Sequence, residues 1–203
     1  LAYNSYMKNT IQDKNKLVNS VFSKVNKKYD LMNDIMSLGI HRIWKEKFID
    51  WMNPQANTKL IDVASGTGDI AKLFSIKTNK TGQITCIEPN ELMLQQGEKK
   101  LKKYENIKWI NASAEKIPVK DNSFDYYSIS YGIRNVSDID ASLKEAFRVL
   151  KPGGRFMCLE FSKIDNEFLD YLYRQYSKTI PFIGKLIVGS DEPYKYLIES
   201  IEK

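Results

Sequence analysis

The stretch that decides the fold is Lys59-Leu60-Ile61-Asp62-Val63-Ala64-Ser65-Gly66-Thr67-Gly68-Asp69. Its apolar first half predicts a buried strand, and its two glycines predict a tight loop after that strand. Apolar residues then recur at helical spacing over 70–74, so a helix starts at Asp69. Glycines let a backbone approach a ligand closely, and open α/β sheets bind ligands at the carboxyl ends of their strands. A ligand site is therefore predicted at Gly66, Thr67 and Gly68.

A second signal lies at the strand predicted over 83–87, which ends at Glu88. A carboxylate about twenty residues after the glycine loop can accept hydrogen bonds from both ribose hydroxyls of a nucleoside. The loop lacks the third glycine of the dinucleotide pattern, and Asp69 would repel a pyrophosphate at the start of the helix. The two signals together favour a nucleoside ligand that carries positive charge.

The composition is that of an ordinary globular domain. The chain has 203 residues, of which 42% are hydrophobic and 28% charged, and its formal net charge is +6. Its lysines are scattered, so the charge indicates solubility before it indicates a nucleic-acid site. No apolar run approaches the ~18 residues of a membrane span. With His41 as the single histidine, no zinc site is expected, and Cys86 and Cys158 are predicted to be buried in strands.

Periodicity divides the chain into a polar N-terminal arm and one domain. Residues 1–20 are polar with few apolar positions, which predicts a mobile arm or a frayed helix. Over 21–53, apolar residues recur at helical spacing and the pattern breaks near Gly39, which predicts a helical cap of two or three helices. The sheet core follows over 58–162, and residues 164–203 are predicted to form a lid segment.

Within the sheet core, strands and helices alternate, as in a parallel Rossmann-like α/β sheet. Beyond the first two strands, the pattern predicts strands at 107–110, 124–130 and 155–160, and helices at 91–103 and 139–150. Residues 151–154 are predicted as the turn before the fifth strand. In the lid segment, an aromatic helix is predicted to precede an apolar run that Pro181 and Gly184 interrupt.

Longer patterns resemble known families. The arrangement from Asp62 to Gly68 resembles motif I of class I S-adenosylmethionine methyltransferases, whose cofactor is a sulfonium cation. Residues 29–44, Tyr-Asp-Leu-Met-Asn-Asp-Ile-Met-Ser-Leu-Gly-Ile-His-Arg-Ile-Trp, resemble the first signature of the UbiE family, the C-methyltransferases of ubiquinone and menaquinone biosynthesis. Residues 148–162 resemble its second signature, and 194–201 are similar to its Tyr-x-Tyr-Leu-x-Glu-Ser-Ile stretch.

The resemblance implies both a fold and an activity. Members of the family complete a seven-stranded sheet, so the C-terminal strands are expected to be missing from a chain in which five are predicted. The implied reaction transfers a methyl group from S-adenosylmethionine to a ring carbon of a polyprenyl benzoquinol in ubiquinone biosynthesis. A menaquinone-pathway methyltransferase acting on demethylmenaquinol, and a cofactor-binding scaffold without activity, remain as alternatives.

The resemblance also implies roles for residues in the later loops. Ser113 and Ala114 occupy the place of the adenine-binding motif of class I methyltransferases, and Ser130 ends the fourth predicted strand beside the cofactor. The Gly-Ile-Arg-Asn sequence at 132–135 resembles the family's loop that faces the methyl group and the quinol ring. Arg134 and Asn135 are therefore the predicted catalytic residues. Since arginine keeps its proton, Arg134 would stabilise a phenolate or orient a water, and Asn135 would help to hold the ring. His41 or a tyrosine is left to accept the phenol proton.

Two other enzyme classes fit less well. A nicotinamide oxidoreductase would need the third glycine and a catalytic Tyr-x-x-x-Lys, and a nucleic-acid methyltransferase normally carries an Asn/Asp-Pro-Pro-Tyr-type motif where 130–133 reads Ser-Tyr-Gly-Ile. The expected partners are a prenylated quinol, a membrane surface contacted peripherally, other ubiquinone-biosynthesis enzymes and a second copy of the chain, but no nucleic acid. The expected location is the matrix face of the mitochondrial inner membrane, with the bacterial cytoplasm as the alternative.

Overall fold

A parallel sheet forms the centre of the computed structural model, which describes residues 18, 20–21, 23, 29–162, 165–188, 194–196, 198 and 200. The strands are Lys59–Val63 (β1), Gln83–Ile87 (β2), Ile107–Ile110 (β3), Phe124–Ser130 (β4) and Leu150–Leu159 (β5). Their order in the described sheet is β3-β2-β1-β4-β5, and every neighbouring pair is parallel. The strand order reverses between β1 and β4, which is where sheets of this kind bind ligands. The predicted α/β fold is confirmed.

Helices cover the sheet and precede it. They are Tyr29–Ser37 (α1), Ile40–Met52 (α2), Asp69–Lys77 (α3), Glu91–Lys100 (α4), Ile139–Val149 (α5) and Glu167–Val188 (α6), with a short 3₁₀ helix at Ile133–Asn135. Within the described part of the chain, no helix is both long and apolar enough to cross a membrane. Of the predicted arm, residues 1–17 and 19 lie outside the described residues, whereas residues 18 and 20 are helical.

The predicted break in the helical cap falls between α1 and α2. Leu38 and Gly39 have φ angles of 52° and 77°, in the left-handed region, and Gly39 donates its N–H to Asp34 O at 2.8 Å. Glycine adopts this conformation at little cost and so commonly ends a helix. The turn folds α1 back against α2 and brings the cap over the carboxyl ends of the strands.

Apolar packing on both faces of the sheet builds the core. Successive side chains of a strand point to opposite faces, so Leu60 faces one layer and Ile61 the other, and both are fully buried. The first layer packs against α2 and α3 through Phe48, Ile49, Met52, Ile70 and Phe74. The second packs against α5 through Tyr127, Ile129, Ala146 and Val149. Burying each large apolar side chain contributes about 1.5–3 kcal/mol, which holds the strand ends, and hence the site, in place.

The fifth strand differs from its prediction. It begins at Leu150 and includes residues 151–154 as a bulge, because Leu150 pairs with Phe124 and Arg155 pairs with Tyr126. The prediction that Cys158 is buried was wrong, since its side chain is exposed on this outer strand of the described sheet. Cys86, on the inner strand β2, is buried as predicted.

The lid segment also differs, because α6 runs through Pro181 without a break. An internal proline costs a helix about 3 kcal/mol. Tertiary packing offsets this: Ile180 is fully buried in a small cluster with Met36 and Tyr194, and Tyr176 Oη donates to Ile35 O. The lid is therefore fastened to α1 of the cap rather than interrupted at the proline.

Candidate active site

The loop between β1 and α3 folds over the end of β2. Ala64, Gly66 and Gly68 have positive φ angles of 52°, 57° and 83°. Ser65 donates its N–H to Ile87 O at 3.2 Å, and Gly68 donates its N–H to Ser65 O at 2.9 Å. Two glycines stand where the backbone turns left-handed, which explains their spacing in the sequence. The loop thus forms one wall of a site at the switch in strand order.

Glu88 is the buried carboxylate of this site. It is 6% exposed, its Oε2 accepts the Gly66 N–H at 2.8 Å and its Oε1 accepts the Asn90 N–H at 2.9 Å. Burial raises the pKa of Glu88 to about 7, although the two N–H groups act to lower it. Each carboxylate oxygen keeps a second lone pair. Glu88 can therefore hold the loop and still accept hydroxyl groups of a ligand.

A cavity of about 290 Å³, the first cavity, opens beside Glu88. Six of the predicted site residues line it: Gly66, Glu88, Ser113, Ala114, Ser130 and Asn135. Ser130 Oγ is buried and has no hydrogen-bond partner among the described residues, which suits a ligand that brings one. Val18 also lines this cavity, so the segment predicted as a polar arm contributes to its wall.

Thr67 and Gly68 belong to the loop but do not line the first cavity. Thr67 Oγ1 donates to Asp30 Oδ1 at 3.1 Å and accepts from Lys100 Nζ at 3.0 Å, so its side chain joins the loop to the cap. A Cβ on Gly68 would lie 2.6 Å from Leu101 Cδ1. Both residues shape the loop from its outer side.

Asp69 is neutralised by lysines of the protein itself. Lys45 Nζ lies 2.8 Å from Asp69 Oδ2, and Lys100 Nζ lies 2.9 Å from Asp69 Oδ1. Burial alone would raise the pKa of Asp69, but the charges of the two lysines outweigh it and hold that pKa below its ordinary value. The carboxylates that line the first cavity are those of Glu88 and Glu115, and Asp69 is not among them.

A second cavity, of about 450 Å³, lies between the cap, the end of β5 and α6. Its walls are mainly apolar and aromatic and include Met36, Leu38, Trp44, Leu159, Phe161 and Tyr176. Tyr131, directly after β4, lines both cavities. Glu160 is the single carboxylate among the described residues that line the second cavity. The cavity that holds the Glu88 carboxylate and the mainly apolar second cavity thus meet at one tyrosine.

Arg134 lies beside the second cavity and lines neither. Its Nη1 donates to Glu160 Oε1, its Nε donates to Ser200 Oγ at 3.3 Å, and its guanidinium lies 5.4 Å from the centre of the Phe161 ring. Arg134 was predicted to face the cofactor. In the structure it pairs with the carboxylate of Glu160, the residue that follows β5. Its catalytic role stays a prediction.

Asn135 and His41 are the remaining predicted groups. Asn135 Oδ1 accepts the Tyr196 hydroxyl at 3.0 Å, so the loop after β4 is joined to the C-terminal segment. His41 is buried in α2, with Nε2 2.9 Å from Asp34 Oδ1, and lines neither cavity. Burial lowers the pKa of His41 despite the hydrogen bond to Asp34. Its contacts are those of a packing residue of the cap.

Comparison with known proteins identifies the family. The sequence profile of the ubiE/COQ5 methyltransferase family matches residues 8–203. The chain belongs to the ubiE/COQ5 methyltransferase family. It is 53% identical over 197 residues to the ubiquinone/menaquinone biosynthesis C-methyltransferase UbiE of Rickettsia bellii, covering 94% of this chain and 79% of that protein. For the Rickettsia akari UbiE the identity is 52% over 193 residues, and the match covers 92% of this chain and 77% of that protein.

The fold agrees with solved methyltransferase structures. A putative S-adenosyl-L-methionine-dependent methyltransferase from Methanococcus maripaludis superposes with a TM-score of 0.61 at 18% identity, covering 87% of this chain and 81% of that one. As a ubiE/COQ5 family member, the chain is a methyltransferase whose cofactor is S-adenosylmethionine. The nicotinamide oxidoreductase considered from the sequence is thereby excluded.

The relatives bear on location as well. Those named above come from Rickettsia, which are bacteria, so the expected mitochondrial location is not supported. They fit the bacterial alternative instead. The family name and the relatives leave the membrane contact, the partner enzymes and the homodimer as predictions.

Sequence reasoning missed several residues of the site. Glu160 directly follows β5, just as Glu88 directly follows β2. Its position at the carboxyl end of a strand could therefore have identified it as a site residue. Tyr131 stood in the right loop, but its place between two cavities depends on the cap and α6. Lys45 and Lys100 gave no signal, because their partner Asp69 lies 24 and 31 residues away in the chain.

Proposed function

We propose that this methyltransferase transfers a methyl group from S-adenosylmethionine to a ring carbon of a prenylated benzoquinol in ubiquinone biosynthesis. The observation that carries the proposal is the pair of cavities that share Tyr131, one holding the Glu88 carboxylate and the other mainly apolar. The Rickettsia relatives are named for the biosynthesis of both ubiquinone and menaquinone. The corresponding demethylmenaquinol reaction therefore remains the second candidate.

The first cavity fits the cofactor through the protein groups that line it. Glu88 would accept the ribose hydroxyls, Ser113 and the backbone of Ala114 would contact the adenine, and Gly66 with Ser130 would flank the methionine end. When bound, the cofactor supplies an electrophilic methyl group on a sulfonium. Thr67 and Gly68 contribute by holding the loop in its left-handed turns.

The second cavity fits a quinol ring and the start of its prenyl chain. Trp44 and Tyr131 pack against Phe161, with ring centres 6.2 Å and 4.7 Å from it. Such walls orient a flat ring and exclude water, and holding the reacting carbon at near-attack distance supplies much of the rate. We assign Asn135, at the first cavity, and Arg134, beside Glu160, to positioning the ring and its oxygen.

The outer face of α6 supports contact with a membrane. Phe168, Tyr171, Leu172 and Phe182 lie on one side of this helix and are exposed, opposite the buried Ile180. A row of exposed aromatic and aliphatic side chains suits a lipid surface, from which a prenylated substrate would enter. We propose that the enzyme works at the surface of a bacterial membrane; a homodimer and contacts with other enzymes of the pathway stay predictions.

Calorimetric titration with S-adenosylmethionine tests the first cavity. At pH 8, Glu88→Gln should weaken binding at least tenfold, because charge-assisted hydrogen bonds are worth about 1.5–3 kcal/mol each. The wild-type affinity should improve as the pH rises through about 7 and Glu88 ionises, whereas that of the variant should stay flat. The control is Glu91→Gln, which removes an exposed carboxylate three residues away. Equal affinities for Glu88→Gln and wild type would remove Glu88 from the site.

A methylation assay then separates enzyme from scaffold. Labelled S-adenosylmethionine is incubated with a prenylated benzoquinol or with a prenylated naphthoquinol, each in detergent micelles. We expect the methyl group on a ring carbon of the benzoquinol. Product on the naphthoquinol alone would favour the menaquinone reaction, and cofactor binding without product on either would favour the scaffold.

A further inference from the structure

The two oxygens of Glu160 have different surroundings. Oε1 accepts hydrogen bonds from Arg134 Nη1 and from the Phe161 N–H, the latter at 3.0 Å. Oε2 is buried and has no hydrogen-bond partner among the described residues. A buried carboxylate oxygen without a donor is costly unless something else supplies one. One oxygen of Glu160 is thus anchored while the other is left for a donor.

The place of Glu160 indicates what that donor is. The side chain lines the second cavity, whose other described walls are mostly apolar or aromatic and include no second carboxylate. Tyr176, also at this wall, donates its hydroxyl proton to Ile35 O. Burial raises the pKa of Tyr176, so its phenol stays protonated at neutral pH and is not available to take a proton. His41, the other group considered for the proton, lines neither cavity. Glu160 is the one carboxylate that the described walls of this cavity offer as an acceptor to a hydroxyl.

We propose that Glu160 is the catalytic base of this enzyme and takes the phenol proton of the quinol. The inference rests on the proposed quinol substrate and deepens it. A general base within hydrogen-bond reach of a reacting hydroxyl contributes about 10²–10⁴-fold to the rate. Arg134 is a positioning residue: it holds Oε1 and offsets the buried negative charge, which leaves Oε2 as the oxygen without a donor.

The step balances without a further reactant. The phenol O–H bond breaks and its proton moves to Glu160 Oε2, while the electron pair of the oxygen moves into the ring. The ring carbon forms its bond to the methyl group as the methyl–sulfur bond breaks, and that electron pair stays on the sulfur. The ring carbon then loses its own hydrogen as a proton to water, and Glu160 returns the first proton to the oxygen. One proton is released for each methyl group transferred.

The test compares Glu160→Gln with wild type in the methylation assay. Glutamine has the same shape and still accepts from Arg134, but it cannot take a proton. We expect kcat to fall about 100-fold, with KM and S-adenosylmethionine affinity within threefold of wild type. The remaining rate should rise tenfold per pH unit, because hydroxide then removes the proton. A quinol with electron-withdrawing ring substituents, whose phenol is more acidic, should recover much of the loss.

The control is Glu145→Gln, which changes another carboxylate that is paired with an arginine. Arg148 Nε lies 2.6 Å from Glu145 Oε1, and Glu145 lines neither cavity. This variant should leave kcat and its pH profile unchanged. A Glu160→Gln variant with near-normal kcat and an unchanged pH profile would overturn the assignment and leave the proposed function standing. A wild-type enzyme that binds cofactor but methylates no quinol would instead refute the proposed function. If Glu160→Gln folds poorly, Glu160→Ala with added formate keeps the test open: recovery of the rate supports the base, and no recovery opposes it.

Discussion

Replacing Asp62 with asparagine should change how the stability of this enzyme depends on pH. Asp62 lies in β1 under the glycine loop and is 1% exposed. Its Oδ1 accepts the Ser128 hydroxyl at 2.6 Å, and its Oδ2 has no partner among the described residues. Burial is the largest influence, and it raises the pKa of Asp62 from 3.8 to about 7 although Ser128 acts to lower it. Folding therefore favours the protonated form.

The size of the effect follows from that shift. Each pKa unit corresponds to about 1.4 kcal/mol, so a shift of roughly three units gives about 4 kcal/mol. Below the unfolded pKa the group is protonated in both states and costs nothing. As the pH rises, the unfolded chain ionises first and the folded state loses stability, until the loss is complete above about pH 7. Asparagine does not ionise. The free energy of unfolding of the Asp62→Asn variant, relative to that of wild type, should therefore rise by about 4 kcal/mol from pH 4 to pH 8.

Urea denaturation of both proteins at intervals between pH 4 and pH 8 measures this difference. Asparagine keeps the acceptor for Ser128, so any constant cost of the substitution cancels when pH values are compared. The control is Asp125→Asn, which should behave oppositely: hydrogen bonds from Lys151 and the Lys59 N–H outweigh burial and lower the pKa of Asp125. A difference between Asp62→Asn and wild type that stays flat with pH would show that Asp62 is not a buried, protonated carboxyl.

Two further predictions concern the lid and the loop. Phe182→Ser should raise KM more for a long-tailed quinol than for a short-tailed one and spare cofactor affinity, because Phe182 is 69% exposed on the outer face of α6. The control is Phe147→Ser, which changes an exposed phenylalanine of α5. Equal effects of Phe182→Ser on both quinols would show that Phe182 does not contact the prenyl tail. Gly68→Ala should lower the free energy of unfolding, measured by urea denaturation, by about 2–5 kcal/mol. The reason is that the added Cβ would lie 2.6 Å from Leu101 Cδ1 and that φ at this position is +83°. A loss below about 1 kcal/mol would contradict this reasoning.

Local pattern was enough to predict the sheet and one wall of the site. Each strand is a short apolar run followed by turn residues, and parallel strands end at the same edge, so Glu88 had to lie near the glycine loop. The same logic brought Ser130, at the end of β4, to the first cavity. These predictions needed only residue spacing and the rule that ligands bind where the strand order reverses. Ser113 also lines this cavity, but it was predicted from the resemblance to the adenine-binding motif.

Partners distant in the sequence decided the rest. The Thr67 side chain points away from the first cavity because Asp30 and Lys100, 37 and 33 residues away, hold it. Arg134 turns to Glu160, 26 residues later in the chain. Pro181 was expected to interrupt the apolar run that follows the aromatic helix, but the burial of Ile180 against the cap outweighs the missing hydrogen bond. Which side of a loop a residue faces depends on tertiary contacts that spacing alone does not contain.

Tyr131 places a single side chain in the walls of both cavities. Its backbone is in the left-handed region, with φ of 55°, and its N–H donates to Leu159 O at 2.7 Å, so the end of β5 holds it there. A ligand in either cavity that shifts this ring alters the room left in the other. By thermodynamic linkage this coupling is reciprocal. If the bound quinol changes the affinity for the methyl donor by some factor, the bound donor changes the affinity for the quinol by the same factor.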